Sequence, residues 1–198
     1  MIELMVVLGI TSTLLLVGVP SMSNWVMANK AAAAGEFYME GFRMARQQAV
    51  AHNTTSRIVL STNQTTGQMD WQVDLCFAAL PDAPCTGVSN NWSTVAASAA
   101  LDPEGAAGYK SIRRSADNLP SHAVIAPTLL PANAYFVYYN PLGWVDTSYS
   151  GRLTRLQLDP LPAYAARLPT TAIVVTLSGM ATRCDAGVAV TDSRGCPP

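Results

Sequence analysis

The residues of this chain whose chemistry could reach beyond packing are four cysteines, two histidines, a scatter of carboxylates and one short basic run. Cys76, Cys85, Cys184 and Cys196 fall into two local pairs. Neither pair has the C-x-x-C spacing of a zinc site, and His52 and His122 lie away from both, so no metal or cofactor is expected. An even number of cysteines in local loops reads as two disulfides in an oxidising compartment. Three connectivities are open, and Cys76–Cys85 with Cys184–Cys196 is the one favoured; four buried free thiols are the alternative. Each such bond would stabilise the fold by about 2–3 kcal/mol in the loop-closure picture.

Catalytic patterns are absent. The sequence has no G-x-S-x-G, no P-loop and no G-x-G-x-x-G, and neither histidine stands beside a serine or cysteine motif. Asp70, Asp74, Asp82, Asp102 and Glu104 are dispersed, without the D-x-D-x-D-G run of a calcium loop. The expectation is a structural protein and not an enzyme, with a membrane-anchored periplasmic enzyme as a remote alternative. Lys110, Arg113 and Arg114 form the densest basic patch, with Arg183 farther on. With Tyr135, Tyr138 and Tyr139 they could offer phosphate contacts and stacking to single-stranded DNA, although tyrosines on a strand more often line a core. The formal net charge of -1, from 12 basic and 13 acidic residues, implies no bulk affinity for nucleic acid or anionic membrane.

The remaining chemical oddity is Glu3. It stands at the head of "MIELMVVLGITSTLLLVGVP", in which no residue from Leu4 to Val19 is charged. Continuing to Ala28 adds Met22, Trp25, Val26 and Met27 and gives a helix long enough to cross a bilayer, with Lys30 the first basic residue. A cleaved secretory signal fits poorly, because the basic n-region and an A-x-A site are missing. A carboxylate in lipid costs about 2.5–3.5 kcal/mol on insertion scales, less near a helix end, so Glu3 calls for a partner.

The elements that must position these residues follow from periodicity. Residues 29–52 extend the helix: Tyr38, Phe42, Ala45, Ala49 and His52 make one stripe, and Glu36, Glu40, Arg43 and Gln47 the opposite one. Glu40 and Arg43 are spaced to pair. One helix of about fifty residues, roughly 75 Å long, is predicted, with a kink or local unwinding at Pro20. Beyond it the pattern turns to strands. "SRIVLST", a half-buried "MDWQVDLCF", "KSIRRS", "HAVIA", "AYFVYYN", "RLTRLQLD" and "TTAIVVTLS" are the candidates, with "NQTTGQ" a turn, "PDAPC" a small loop and residues 86–109 mostly loop. The predicted organisation is residues 1–28 as an apolar transmembrane or filament-core helix, 29–55 as its amphipathic continuation, and 56–198 as a β-rich head. The fold class is α+β: a long helix against an antiparallel sheet or small β-sandwich.

This layout resembles the type IV pilin superfamily, which includes the pseudopilins of type II secretion. Mature pilins begin Phe-Thr-Leu-Ile-Glu-Leu before an apolar run; Ile2-Glu3-Leu4 and "MVVLGI" match, with Met1 in place of the leucine, and Gly9 and Pro20 fall where pilins carry a glycine and a kinking proline. "TAIVVTLSGMATRC", "YFVYYNPLGWV" and "GFRMARQQAVAHNTTSRIVLS" resemble segments of the GspH/FimT family. The likeness covers residues 1–62 and, more loosely, 133–185. It implies a pilin fold and a head in the bacterial periplasm, held in the inner membrane by the first half of the helix. It implies other pilins or pseudopilins as partners in a helical filament. It also implies that Glu3 pairs with the free N-terminal amine of a neighbouring subunit. Two features depart from the pattern. The leader with its basic residues and terminal glycine does not precede Ile2 and is expected upstream of Met1. The Gly-Arg-x-Arg turn through which some relatives bind DNA is here Gly179-Met180-Ala181-Thr182-Arg183, lacking the first arginine. A DNA-binding uptake pilin, using Lys110, Arg113, Arg114 and Arg183, is the alternative reading.

Overall fold

The fifty residues Ile2–Ala51 form one α-helix, α1, unbroken through Pro20. The computed structural model describes residues 2–78, 85–87 and 91–197, and the backbone alone of residues 16–21, 23 and 24. Helix formers dominate the second half of α1, and small residues let it approach its neighbours. The helix stops at Asn53, which adopts a left-handed φ of 48°. The Thr54 N–H donates to the Ala49 carbonyl at 3.0 Å and the Asn53 N–H to Val50 at 3.2 Å, the two bonds of a Schellman ending.

Eight strands follow: β1 (Thr55–Thr62), β2 (Met69–Cys76), β3 (Ile112–Arg114), β4 (Ile125–Leu130), β5 (Phe136–Tyr139), β6 (Arg155–Pro160), β7 (Thr171–Val175) and β8 (Ala181–Asp185). They build two antiparallel sheets, ordered β3-β2-β1-β5 and β4-β6-β7-β8. The second half of α1 packs on both, against β1, β2 and β5 of the first and β7 and β8 of the second. The architecture is α+β, an N-terminal helix on antiparallel sheets.

The buried face of α1 carries Ala31, Ala34, Tyr38, Phe42, Ala45 and Ala49, the i, i+3, i+4 rhythm of an amphipathic helix. Ile58, Trp71 and Val137 meet it from the first sheet and Leu156, Ile173 and Ala181 from the second, all in one core. Close approach depends on Gly41, where an added Cβ would lie 2.8 Å from Ile58 Cδ1 and 2.9 Å from Trp71 Cδ2. The sheet also bonds to the helix backbone: the Trp71 indole donates to the Phe37 carbonyl at 3.0 Å and the Ser56 hydroxyl to Ala45 at 2.6 Å.

Several expectations shift. His52 lies beyond the helix end and is exposed, outside the buried stripe. There its ring meets Tyr109 edge-on at 5.4 Å. Strand β2 is buried on both faces, not one, because residues 91–111 cover its outer side. Ser93 exchanges two bonds with Leu75, its hydroxyl accepting from the Leu75 N–H at 2.9 Å. The strand expected at "HAVIA" begins later, at Ile125, and runs through Pro127. Proline is tolerated there because β4 is an edge strand whose outer side needs no N–H donor. Leu153, Leu156 and Leu158 do point inward as their alternation predicts. The "PDAPC" loop lies outside the described residues except for Cys85.

Candidate assembly surface and basic clusters

Among the described residues, the side chains in the first half of α1 have no packing partner in the chain. Ile2, Leu4, Met5, Val6, Val7, Leu8, and onward to Leu15, are exposed, and burial on α1 begins only at Met27–Ala31. Glu3 sits in the first turn of this bare apolar stretch. Thr11 and Thr13 return their hydroxyls to helix carbonyls one turn back, at 2.8 Å to Val7 and 3.1 Å to Gly9, so they expose few unmet polar groups. Among the described residues no helix is long and apolar enough to cross a membrane.

Both expected disulfides are present, Cys76–Cys85 and Cys184–Cys196. The first anchors a cluster of Trp92, Tyr138 and Tyr149 on the outer face of the first sheet. Tyr138 and Tyr149 stack at 3.8 Å, and the Tyr149 hydroxyl donates to the Cys85 carbonyl. Arg57 bridges this layer to the sheet: its Nε donates to Asp74 at 2.8 Å while its guanidinium lies 4.3 Å over Trp92. The second disulfide ties β8 to the C-terminal residues, next to a cleft of about 330 Å3 between the start of the buried helix face and Pro169–Thr171.

The basic candidates are held by carboxylates. Arg113 pairs with Asp70 at 2.7 Å, Arg114 with Glu40 at 3.7 Å and Arg183 with Glu36 at 3.3 Å. Glu40 therefore faces Arg114 across from α1, not Arg43 one turn along it. Glu36 and Glu40 share one exposed stripe of α1, and one sheet reaches it from each side. Gly35 makes room for the second of these contacts, since an added Cβ there would lie 3.3 Å from Arg183 Cδ. Lys110 forms an isolated bridge with Ser98 and its side chain is exposed. The tyrosines do not join the basic patch. Tyr138 and Tyr139 are buried on β5, and β5 and β3 are opposite edges of the first sheet. The stacking surface expected from their proximity is not assembled.

Asp70 is the electrostatic centre of the β2–β3 edge. It accepts from Asn63 Nδ2 at 2.8 Å, from the Ala116 N–H at 2.8 Å and from Arg113. Burial alone would raise its carboxyl, but the Ala116, Arg113 and Asn63 donors outweigh that and hold it below the ordinary value. A second polar hub is Gln68, fully buried. Its amide donates to Pro120 at 2.8 Å and Ile125 at 2.7 Å, and its carbonyl accepts from Tyr38 at 3.2 Å. Neither hub was visible as a site in the sequence; the N-x-T-x-x-Q-x-D spacing of residues 63–70 is the only trace of them. Among the described residues no group of three or more His, Cys, Asp or Glu could hold a metal ion. Comparison with protein-family models, curated proteins and solved structures finds no match.

Proposed function

We propose that this chain is a minor pilin or pseudopilin of the GspH/FimT kind, a structural subunit of a type IV pilus or a type II secretion pseudopilus. The observation that carries the reading is the division of α1. Its second half is sealed into a disulfide-bonded β head, while its first half is apolar, bare and headed by a single carboxylate. An exposed run of large apolar side chains on one helix calls for lipid or other helices around it. In the proposed cycle the first half of α1 lies in the bacterial inner membrane with the head in the periplasm. It then leaves lipid for the helical core of the filament. Glu3 pairs there with the N-terminal amine of a neighbour, which removes the cost of a lone carboxylate in lipid and sets axial register. The role is assembly, not catalysis.

The test is Glu3→Gln and Glu3→Ala in the full-length precursor. Filament assembly and the function it supports are expected to fall sharply while the head stays folded. Normal assembly with either substitution would overturn the role of Glu3. DNA uptake is the weaker reading, because Arg113, Arg114 and Arg183 each already face a carboxylate.

A further inference from the structure

We propose that the end of the head farthest from Ile2 is a docking face for an anionic lipid surface. The inference stands on surface geometry and does not rest on the filament reading. Two turns build the face: residues 140–145, after β5, and residues 176–180, between β7 and β8. Neither contains a charged residue. Both are rigid. In the first, Asn140 Oδ1 accepts from the N–H groups of Leu142 and Trp144, at 3.0 and 3.1 Å. In the second, the Thr176 N–H donates to Met180 at 2.9 Å. The Val145 N–H donates to the Leu177 carbonyl at 3.0 Å and joins the two turns. Gly179, at a φ of 79°, lies so close to the Gly143 carbonyl that any side chain there would overlap it. Arg46 Nε donates to that same carbonyl at 3.1 Å, which pins the turns to the last turns of α1.

Large apolar side chains project from this frame. Leu142 is 70% exposed, Leu177 58%, Trp144 57% and Met180 49%, with Val50 of α1 beside them. Packing inside the chain accounts for none of this exposure, and a rigid platform holds it in place. Guanidinium groups flank it on two sides. Arg43 and Arg46 line the cleft beside Gly179 and Met180, and Arg152 and Arg155 line the groove beside Leu177. Among the described residues none of these four is in an ion pair, whereas Arg57, Arg113, Arg114, Arg183 and Arg194 each hold a carboxylate. Four guanidiniums without an ion-pair partner thus border the exposed apolar tips.

That combination selects the partner. A second copy meeting the same face would set four guanidiniums against four, which repel. A single-stranded nucleic acid would need rings to stack its bases, and Trp144 is the one aromatic side chain among these tips; a duplex, bound through phosphates, would leave the aliphatic tips unburied. An anionic bilayer satisfies every part: aliphatic tips enter the acyl boundary, a tryptophan sits at headgroup level, and arginines reach lipid phosphates. The face lies at the far end of a helix roughly 75 Å long, so the surface it meets is not the one that the first half of α1 would enter.

The experiment holds the full chain in phosphatidylcholine nanodiscs through α1. It measures co-flotation of those discs with vesicles of phosphatidylcholine alone or with added phosphatidylglycerol. Discs are expected to float with the phosphatidylglycerol vesicles only, and less so as salt rises. Leu142→Ser with Leu177→Ser should lower the bound fraction about tenfold by removing the inserted area. Arg43→Gln with Arg152→Gln should lower it about tenfold and flatten the salt dependence. Leu142, Leu177 and Arg43 are exposed and Arg152 is half-buried, and an unchanged melting curve confirms that each variant folds. Trp144→Tyr, which keeps an interfacial ring, should retain binding. Three results would each overturn the proposal: no flotation with phosphatidylglycerol vesicles, flotation unaffected by both double variants, or capture of single-stranded DNA or of a second copy through these residues in place of lipid.

Discussion

At the scale of single residues, polar groups inside the head carry its dependence on pH. Asp70 has a folded carboxyl pKa below its ordinary value, because donors from Ala116, Arg113 and Asn63 outweigh the burial that would raise it. A depressed carboxyl contributes stability that is complete above its unfolded pKa and lost as pH falls through the folded one. The β2–β3 edge should therefore loosen in acid, below about pH 4. Asp70→Asn should destabilise the head by about 1–3 kcal/mol at neutral pH and flatten this acid dependence, as read by urea melts at several pH values. Two buried tyrosines and the half-buried Tyr109 act in the opposite direction. Burial raises the phenols of Tyr38 and Tyr139 well above the usual value and pushes that of Tyr109 up to about 12. A raised phenol contributes stability that is present below the unfolded pKa near 10 and lost as pH rises through the folded one. Ultraviolet titration should show these rings ionising late and together with unfolding. The surface pairs Arg114–Glu40 and Arg183–Glu36 are half in water, so breaking either should change stability by less than about 1 kcal/mol.

At the scale of elements, the contact that decides the head is α1 against β1 and β2. Gly41→Ala would improve helix propensity by roughly 1 kcal/mol, but its Cβ would push on the fully buried Trp71 ring and on Ile58. The clash should win, and thermal melts should show a net loss of about 1–2 kcal/mol. Sequence patterning reached this level unevenly, for physical reasons. The helix was legible because its apolar positions keep a period near 3.6 over many turns. Strands β1, β5, β6 and β7 were legible because β-branched, aromatic and leucine residues alternate between turn signals. Strand β2 reads as half-buried because Gln72, Asp74 and Cys76 alternate with Trp71, Val73, Leu75 and Phe77; Asp74 is buried because Arg57 reaches in to neutralise it, as Arg113 does for Asp70. Strand β4 was displaced because Pro127 reads as a breaker when the edge position of the strand is not known. The cysteine pairs were legible from local spacing alone. The polar hubs at Asn63 and Gln68 and the distal apolar turns were not, since they depend on segments far apart in sequence meeting in space, Gln68 with Pro120 and Gly143 with Gly179.

At the scale of the whole molecule, one helix joins a packed half to an exposed one. Its second half is the spine of a head closed by two sheets and two disulfides, and the described side chains of its first half are exposed and mostly apolar, with Glu3 at its start. Such a molecule is complete only when something covers that first half, and the proposed account has lipid cover it first and neighbouring helices afterwards. The distal turns would give the same molecule a contact at its other end. The most direct measurement places a photo-crosslinking amino acid at Leu8 in the full-length precursor expressed in its own cells. Filaments sheared from the cell surface, or captured as pseudopili, are then analysed. The account predicts this chain in the filament fraction, crosslinked through position 8 to the apolar helix of another subunit, with the adduct lost in Glu3→Gln. Absence of the chain from filaments, with crosslinks at position 8 to lipid alone, would contradict it.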